Sequence, residues 1–294
     1  MDKSFPHRRL CLCPGHVWQD RGLSSLTGPA LRLFRELDGV FCRLAAEYRA
    51  ADHSFPSFLP AAMLSRLDYF HSFPHLATFA TVLQDDEANL DAFRNRAVLR
   101  EDGSIGLTAT TPVTDVLTPA ACYHFYRVYE GTRLDRPLYL TTLGSCHRRE
   151  THYVPLERQW NFSMREIVCF GSADEVMGFL EHYRDRVTRV CGILDLPVAP
   201  VAASDPFFRP TQNPRWIAQR LEPLKTEFLF QNYLAATSIN FHRDFFGETF
   251  DIRRDDAAAF SGCVAFGLER WMRMIIGRWG TDPDAWPRLS EVGW

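Results

Sequence analysis

The sequence predicts an α+β fold in which helices flank an antiparallel sheet. Residues 138–143 alternate as a strand does, and residues 160–170 have the pattern of a second strand that returns beside the first. A strand of small and apolar residues at 262–266 leads directly into a helical pattern at 268–276. Because antiparallel strands with helices beside them share one layered core, these observations favour a single α+β domain.

The chain that precedes this hairpin is predicted to be mostly irregular or helical. Residues 1–28 carry three glycines and predict irregular structure. Apolar residues then recur at spacings of three and four, so that one amphipathic helix is predicted from Pro29 to about Ala50. Two prolines predict an extended segment over residues 55–60. Residues 61–100 are mixed in character, and a further helix is predicted over 112–129.

Three more elements are predicted after the hairpin. Ser172-Ala-Asp-Glu175 has the form of a capping box and predicts a helix that begins immediately after Ser172. Residues 205–224 are punctuated by prolines and predict a helical insertion with a short helix around Trp216. Residues 228–238 are predicted to form a strand.

Composition and charge narrow the possible functions. The 294 residues are 46% hydrophobic and 23% charged, which is ordinary for a globular chain and favours one domain spanning 1–294. A net charge of −3 counts against tRNA or DNA as the main partner, because such chains usually carry a basic surplus. The sequence contains no uninterrupted run of 18 apolar residues, so that no membrane span is predicted. The eight cysteines are scattered and indicate a reduced cytoplasm.

Four segments, taken in order, resemble the motifs of class II aminoacyl-tRNA synthetases, particularly the seryl enzymes. The helix at 31–50, followed by the extended segment that ends at Pro60, resembles the first signature motif, and residues 146–166, with Arg-x-Glu at 148–150, resemble the second. Thr237-Ser-Ile-Asn240 is similar to a segment of the serine enzymes. Gly262-Cys-Val-Ala-Phe-Gly-Leu-Glu-Arg270 resembles the third motif. The resemblance implies the antiparallel catalytic fold of that class and the formation of an adenylate from ATP.

The second motif implies specific contacts with ATP. Arg148 offers a planar guanidinium for the α-phosphate, and Glu150 lies on the same side of the strand, where it accepts a hydrogen bond from the adenine amine. Phe162 is expected to stack on the adenine ring, with Trp160 as the alternative. Arg158, in the loop of the motif, assists with the phosphates.

The other predicted nucleotide contacts come from the second half of the chain. Arg270 is expected to hold the outer phosphates of ATP, and binding of a triphosphate implies Mg²⁺, for which Glu227 is a candidate ligand. By resemblance, the remaining ATP contacts are Lys225, Thr237, Ser238 and Asn240. Asn240 and Glu166 are also expected to contact the substrate amino acid.

Within this class, the chain resembles the amino acid:[carrier protein] ligases, which are truncated homologues of the archaeal-type seryl enzymes. The resemblance rests on residues 121–124, 205–208, 225–227 and 240–247, and it extends from about residue 30 onward. No coiled-coil pattern precedes the catalytic core, as a tRNA-binding arm would require. The resemblance implies ATP-dependent transfer of a small amino acid, glycine or alanine, to the phosphopantetheine thiol of a carrier protein, without tRNA and by a homodimer.

The same resemblance implies a zinc ion bound by Cys122, Glu166 and Cys263. Three protein ligands leave a fourth position open, which an uncharged substrate amine can occupy. These residues are far apart in the sequence, so that spacing alone does not reveal the site. The alternative is that both cysteines are small buried core residues, as most free cysteines are.

Other interpretations remain open at this stage. His124, His147 and His242 are interpreted as structural histidines near the motifs. Arg215, Trp216 and Arg220 combine an aromatic residue with basic charge, which favours either a docking element for an acidic carrier protein or an ordinary surface helix. Two further alternatives for the whole chain are a minimal seryl-type tRNA synthetase and a non-catalytic paralogue of the synthetases.

Overall fold

A computed structural model describes residues 11–19, 21–96, 99–213, 216–217 and 224–290. The helices within these ranges are α1 (Gly28–Ala46), α2 (Ala61–Arg66), α3 (Tyr69–Ser72), α4 (Glu87–Arg96), α5 (Tyr123–Val128), α6 (Ala173–Ile193), α7 (Phe245–Phe250) and α8 (Leu268–Trp279). None of these described helices is long and apolar enough to cross a lipid bilayer.

The strands within the same ranges form one large sheet and several small ones. They are β1 (His16–Gln19), β2 (Leu23–Leu26), β3 (Ala51–His53), β4 (Phe58–Pro60), β5 (Asp115–Leu117), β6 (Arg133–Leu134), β7 (Leu138–His147), β8 (Asn161–Gly171), β9 (Val198–Ala202), β10 (Lys225–Phe230), β11 (Leu234–Arg243), β12 (Arg253–Arg254), β13 (Ala257–Ala258) and β14 (Phe260–Gly267).

The large sheet has seven described strands in the order β3-β7-β8-β14-β11-β10-β9. Its strands are antiparallel to their neighbours, apart from the parallel pair β3 and β7. The predicted α+β architecture with an antiparallel sheet flanked by helices is therefore confirmed. In the centre of the sheet, Ala265 of β14 lies opposite Glu166 of β8, and Cys263 lies opposite Asn240 of β11.

Helices cover one face of the large sheet as a closed apolar layer. Helices α1, α6 and α8 contribute side chains to a core that also contains Ile167 of β8 and Phe266 of β14. Phe41 of α1 stacks on Phe266 with ring centroids 4.1 Å apart and meets Trp271 of α8 edge-on at 5.1 Å. This face is therefore filled by packing, and it leaves the opposite face of the central strands for other contacts.

The opposite face carries a second, smaller core. Val168 and Phe170 of β8 point to this side, where they meet α5 and α7. Tyr126 of α5 stacks on Phe246 of α7 with ring centroids 3.6 Å apart. Because side chains alternate along a strand, Glu166 and Cys263 also face this side.

A buried arginine joins the first helix and the first strand of the sheet to its centre. Arg165 of β8 donates from Nε to Asp38 of α1 and from Nη1 to Asp52 of β3, each over 2.8 Å. Its side chain is only 5% exposed, so that the charge depends on these carboxylates for compensation. The contact fixes α1 and β3 against the strand that carries Glu166.

Several predicted elements are wrong in their limits or in their type. Residues 1–28 were expected to be irregular, but β1 and β2 form a hairpin there. The helix predicted to Ala50 ends at Ala46 in a turn that requires positive φ at Arg49. The helix predicted over 112–129 is limited to α5, and β5 occupies its first part, where Val116 pairs with Leu59.

The strand predicted over 228–238 is in fact two strands. Gln231 and Asn232, with φ of 50° and 63°, reverse the chain between β10 and β11. Neither glycine nor proline marks this turn, which explains why the sequence pattern passed over it. Of the predicted insertion over 205–224, the described part contains a short 3₁₀ turn at Pro210–Gln212 and a helical Trp216. Arg215 and Arg220 lie outside the described residues.

The capping box predicted at Ser172 is confirmed. Ser172 Oγ accepts a hydrogen bond from the Glu175 backbone N–H over 3.3 Å, and Glu175 Oε2 accepts one from the Ser172 N–H over 2.7 Å. Arg254 also pairs with Glu175 at 3.0 Å. The box therefore fixes the start of α6, which supplies much of the closed apolar layer.

We expect the variant Ser172→Ala to lower the free energy of unfolding by about 1 kcal/mol, because it leaves the N–H of Glu175 without its side-chain acceptor. Equilibrium urea unfolding followed by circular dichroism measures the change. Ser65→Ala, at an exposed serine of α2, is the matched control and should stay within about 0.5 kcal/mol of the parent chain. An equal loss in both variants would contradict the role of the cap.

Candidate active site

A cavity of about 460 Å³ opens on the face of the sheet that carries Glu166 and Cys263. Strands β8, β11 and β14 form its floor, and the segments around α3, α5 and α7 form its walls. The sequence-predicted residues that line it are Cys122, Arg148, Glu150, Arg158, Phe162, Glu166, Lys225, Glu227, Thr237, Ser238, Asn240, Cys263 and Arg270. The fold thus brings together residues that are separated by up to about half of the chain.

Two cysteines and a glutamate form a compact cluster at the bottom of this cavity. The Sγ atoms of Cys122 and Cys263 and a carboxylate oxygen of Glu166 all lie within 4.8 Å of one another. All three residues are buried, with exposures of 5% for Cys122, 3% for Cys263 and 1% for Glu166. Cys122 immediately precedes α5, whereas the other two residues belong to adjacent strands.

Glu166 is held in place by backbone groups of the loop before α5. Its Oε1 accepts hydrogen bonds from the backbone N–H groups of Ala121 over 2.9 Å and Cys122 over 3.3 Å. This loop packs closely on β7 at Gly144. A Cβ atom at that position would lie only 2.5 Å from the Cβ of Ala121, so that the approach requires glycine. Burial is the main cause that raises the pKa of Glu166 to about 7, and the charge of Cys263 adds to it.

The donor set of the cluster suits zinc. Two thiol sulfurs and one carboxylate oxygen are ligands that zinc prefers, and a site with three protein ligands keeps one position open, as catalytic zinc sites do. The two thiols already interact: a hydrogen bond from Cys122 lowers the pKa of Cys263 well below its usual value, while the pKa of Cys122 is raised. The residues present therefore fit this metal.

Asn240 and His242 surround the sulfur of Cys263. Asn240 Nδ2 donates to Cys263 Sγ over 3.4 Å, and His242 Nε2 lies 3.6 Å from the same atom. On its other side, His242 Nδ1 lies 3.3 Å from the Tyr126 hydroxyl and 3.2 Å from Ser261 Oγ. From the sequence, His242 is interpreted only as a structural histidine. The available indication of a site role was that His242 follows Asn240 by two residues, so that both side chains lie on the cavity face of β11.

A second group of residues forms the polar end of the cavity. Arg148 donates from Nε to the Pro119 carbonyl over 2.8 Å, and its guanidinium carbon lies 5.2 Å from the centroid of the Phe162 ring. Arg158 Nη1 and Glu150 Oε2 form an ion pair at 2.8 Å. A cation, an aromatic face and a carboxylate are thus within reach of one bound nucleotide.

Trp160, the predicted alternative to Phe162, is not among the described residues that line the cavity. Its indole N–H donates to Thr78 Oγ1 over 2.9 Å, outside the cavity. Of the two aromatic residues considered for stacking on adenine, the structure therefore places only Phe162 at the cavity.

Arg270 lies at the start of α8 and reaches the cavity between two loops. It donates from Nε to the Glu157 carbonyl over 2.8 Å and from Nη1 to the Ala235 carbonyl over 2.7 Å. Burial lowers its pKa, and the nearby charge of Arg148 has the same effect. Within the described ranges, no carboxylate is hydrogen-bonded to either arginine side chain, and two such arginines in one buried region favour an anion between them.

Strands β10 and β11 supply the remaining predicted contacts. Lys225 Nζ lies 2.9 Å from Asp205 Oδ1 and 3.0 Å from Glu227 Oε1, so that its charge is compensated by two carboxylates. Ser238 accepts a hydrogen bond from Asn240 Nδ2 over 3.3 Å on the cavity face. The Thr237 hydroxyl points to the other side of the sheet, where it accepts from the Trp271 indole over 2.9 Å.

Glu269 is a further buried carboxylate at the cavity, and no role is predicted for it from the sequence. Both of its oxygens accept from the backbone N–H of Ser163, over 3.0 and 2.9 Å, which ties α8 to β8. Burial raises the pKa of Glu269 to about 7. The available indication was its place directly before Arg270, because both residues belong to the first turn of α8.

Comparisons with known proteins agree with this geometry. Residues 114–278 match the family described as tRNA synthetase class II core domain (G, H, P, S and T). Amino acid--[acyl-carrier-protein] ligase 1 of Bradyrhizobium diazoefficiens is 34% identical over 242 residues, which are 79% of this chain and 73% of that protein. Amino acid--[acyl-carrier-protein] ligase 2 of the same organism is 35% identical over 245 residues, 79% of this chain and 71% of that protein.

A solved structure supports the fold over nearly the whole chain. The crystal structure of A. aeolicus tRNASec in complex with M. kandleri SerRS superposes with a TM-score of 0.78 and covers 98% of this chain at 22% identity. This chain spans 56% of that chain, a little over half of its length. At this identity the likeness concerns the fold.

The raised pKa of Glu269 predicts a pH-dependent stability. Its pKa of about 7 in the folded chain exceeds the usual 4.5, so that the folded state binds a proton more tightly than the unfolded state. Stability is therefore lost as the pH rises from about 5 to about 7. We expect the contribution of Glu269, on the order of 3 kcal/mol, to be absent in Glu269→Gln, while the similar contribution of Glu166 remains and makes the pH dependence smaller rather than zero.

Urea unfolding of both chains at several pH values between 5 and 8 measures this difference. Glu181→Gln, at an exposed carboxylate of α6, is the matched control and should keep the pH dependence of the parent chain. If Glu269→Gln showed the same pH dependence as the parent, Glu269 would not be the titrating group.

Proposed function

We propose, because the chain belongs to the amino acid--[acyl-carrier-protein] ligase family of the class II synthetases, that it activates a small amino acid with ATP and transfers it to the phosphopantetheine thiol of a carrier protein. The observation that carries this proposal is one cavity that joins two arginines, an aromatic ring and a thiol–carboxylate cluster. The first group suits a nucleotide, and the second suits the amine of an amino acid.

The polar end of the cavity supports the binding of ATP with Mg²⁺. Arg148 is positioned to hold the α-phosphate and Arg270 the outer phosphates, while Phe162 offers its face to adenine. In this proposal Glu150 turns from Arg158 to the adenine amine, and Arg158 is released to the phosphates. This change of partners costs little free energy, because the 41% exposed Arg158 side chain can be hydrated and the adenine amine replaces it as the donor to Glu150.

The thiol–carboxylate cluster supports the binding of the amino acid beside the α-phosphate. Zinc bound by Cys122, Glu166 and Cys263 would supply an open fourth position for an uncharged substrate amine. Asn240 then orients the substrate through its side-chain amide. The substrate carboxylate is already ionised at neutral pH, so that its attack on the α-phosphorus requires no protein base.

The proposed reaction has two steps, formation of the adenylate and transfer of the acyl group to the thiol. A carboxylate oxygen of the amino acid bonds to the α-phosphorus, and pyrophosphate leaves. The thiolate of the carrier arm then attacks the acyl carbon and a thioester forms. AMP leaves with the oxygen that had linked the acyl carbon to the α-phosphorus. Arg148 stabilises the charge that develops on the α-phosphate in the first step. Glycine or alanine is proposed as substrate from the family resemblance.

Three further parts of the proposal concern partners and metal. Glu227 is assigned to Mg²⁺, since it lines the cavity close to the phosphate-binding end. The segment around Trp216 is proposed to contact the carrier protein. We also propose a homodimer formed through α1 and the extended segment that ends at Pro60, which contains β4. Arg165 attaches α1 to the central strand that carries Glu166.

Amino-acid-dependent exchange between ATP and pyrophosphate tests the proposal. We expect exchange with glycine or alanine, followed by a thioester on the carrier protein. Arg148→Ala should reduce exchange at least about a hundredfold, because it removes a positioned charge at the α-phosphate. Arg189→Ala, at an exposed arginine of α6, is the control and should exchange normally.

Two outcomes would contradict this function. Exchange with serine alone, followed by transfer to tRNA, would support a minimal seryl-type synthetase. Absence of exchange with every common amino acid, in folded and zinc-loaded protein, would leave a non-catalytic paralogue as the better account.

A further inference from the structure

The hydroxyl of Tyr69 is a buried polar group without a partner at the wall of the cavity. Tyr69 belongs to α3 and is only 4% exposed. Its side chain lines the cavity, yet its hydroxyl has no hydrogen-bond partner within the described part of the chain. Because a buried hydroxyl without a partner costs free energy, this atom indicates a ligand that the free protein lacks.

Tyr69 is part of an apolar surface that we call the aromatic wall, formed by Leu67, Tyr69, Phe73, Leu76, Tyr123 and Phe207. The Tyr69 ring lies 5.2 Å from Phe73 and 6.3 Å from Tyr123, and Phe73 stacks on Phe207 at 4.8 Å. Three separate segments of the chain meet here. Among the polar atoms of this wall, the Tyr69 hydroxyl is the one that is buried without a partner in the described part of the chain, and the other hydroxyl belongs to Tyr123.

The aromatic wall lies beside the reacting centre of the proposed function. Tyr123 directly follows Cys122, and the charge of Arg148 is close enough to Tyr69 to influence its pKa. Burial outweighs that charge and raises the pKa of Tyr69 to about 12, so that the hydroxyl is a neutral donor at physiological pH. It can therefore donate a hydrogen bond to a carbonyl oxygen.

The chemistry of the aromatic wall indicates which of the reactants it can bind. The triphosphate and the ionised ends of an amino acid would lose hydration against an apolar surface, and both have charged partners elsewhere in the cavity. An acceptor arm has different needs: it is slender, uncharged and contains amide carbonyls. Aromatic and aliphatic side chains with tyrosine hydroxyl donors among them suit such an arm.

We propose that the aromatic wall binds the pantetheine part of the acceptor and that the Tyr69 hydroxyl donates a hydrogen bond to one of its amide carbonyls. This inference rests on the proposed function, because it assumes a pantetheine thiol as the acyl acceptor. The bond orients the arm so that its thiol points toward the acyl carbon beside Arg148. Tyr69 is thus a residue of the acceptor site.

Tyr69→Phe tests this inference with free D-pantetheine as the acceptor and thioester formation as the readout. We expect the KM for pantetheine to rise about three- to tenfold, which corresponds to one neutral hydrogen bond. ATP–pyrophosphate exchange should be unchanged. The melting temperature should not fall, because the hydroxyl has no protein partner to lose.

Tyr129→Phe is the matched control. Its hydroxyl is 3.2 Å from His53 Nε2, and the residue does not line the cavity. The control should therefore leave the KM for pantetheine at the parent value. The same measurements with the phosphopantetheinylated carrier protein extend the test to the complete acceptor.

Four outcomes would count against the inference. An unchanged KM for pantetheine in Tyr69→Phe would overturn it, while the proposed function would stand. If ATP–pyrophosphate exchange fell as much as thioester formation, Tyr69 would be assigned to the binding of the adenylate. A lower melting temperature with loss of both activities would assign Tyr69 to the stability of the fold. If the parent chain catalysed exchange but formed no thioester with either acceptor, the proposed function itself would fail, and the inference with it.

Discussion

The buried carboxylate of Glu166 is the constraint on which the active-site cavity depends. Its hydrogen bonds from Ala121 and Cys122 connect the central strand β8 to the loop before α5. A buried carboxylate must be satisfied by donors, so that the loop cannot move away without a large cost in free energy. The same contacts hold Cys122 beside Cys263, which no local feature of the sequence would do.

The alternation of side chains along the central strands gives the sheet two separate tasks. One face is closed by α1, α6 and α8 and provides stability, and the other carries the cavity. Along this second face, the polar end, the thiol–carboxylate cluster and the aromatic wall follow one another. ATP, the amino acid and the acceptor arm can therefore meet at one point without crossing the apolar layer.

The sequence predicted the local motifs well and the long-range contacts poorly. Arg148, Glu150 and Phe162 could be placed together, because Arg148 and Glu150 directly follow β7, whose register with β8 sets Phe162 opposite Cys146. The cluster of Cys122, Glu166 and Cys263 came from a family resemblance, since its members lie on three separate elements. The partners of Lys225 and the wall around Tyr69 depend on packing between distant segments. The turn at 231–233 contains neither glycine nor proline, which are the strongest markers of a turn.

The measurement that tests the central claim most directly is the zinc K-edge X-ray absorption spectrum of the protein purified without added metal. Binding by Cys122, Glu166 and Cys263 predicts two sulfur atoms at about 2.3 Å and oxygen or nitrogen atoms at about 2.0–2.2 Å in the first shell. A first shell of nitrogen and oxygen alone, or one of four sulfurs, would contradict the cluster as the metal site and the account of the cavity built on it.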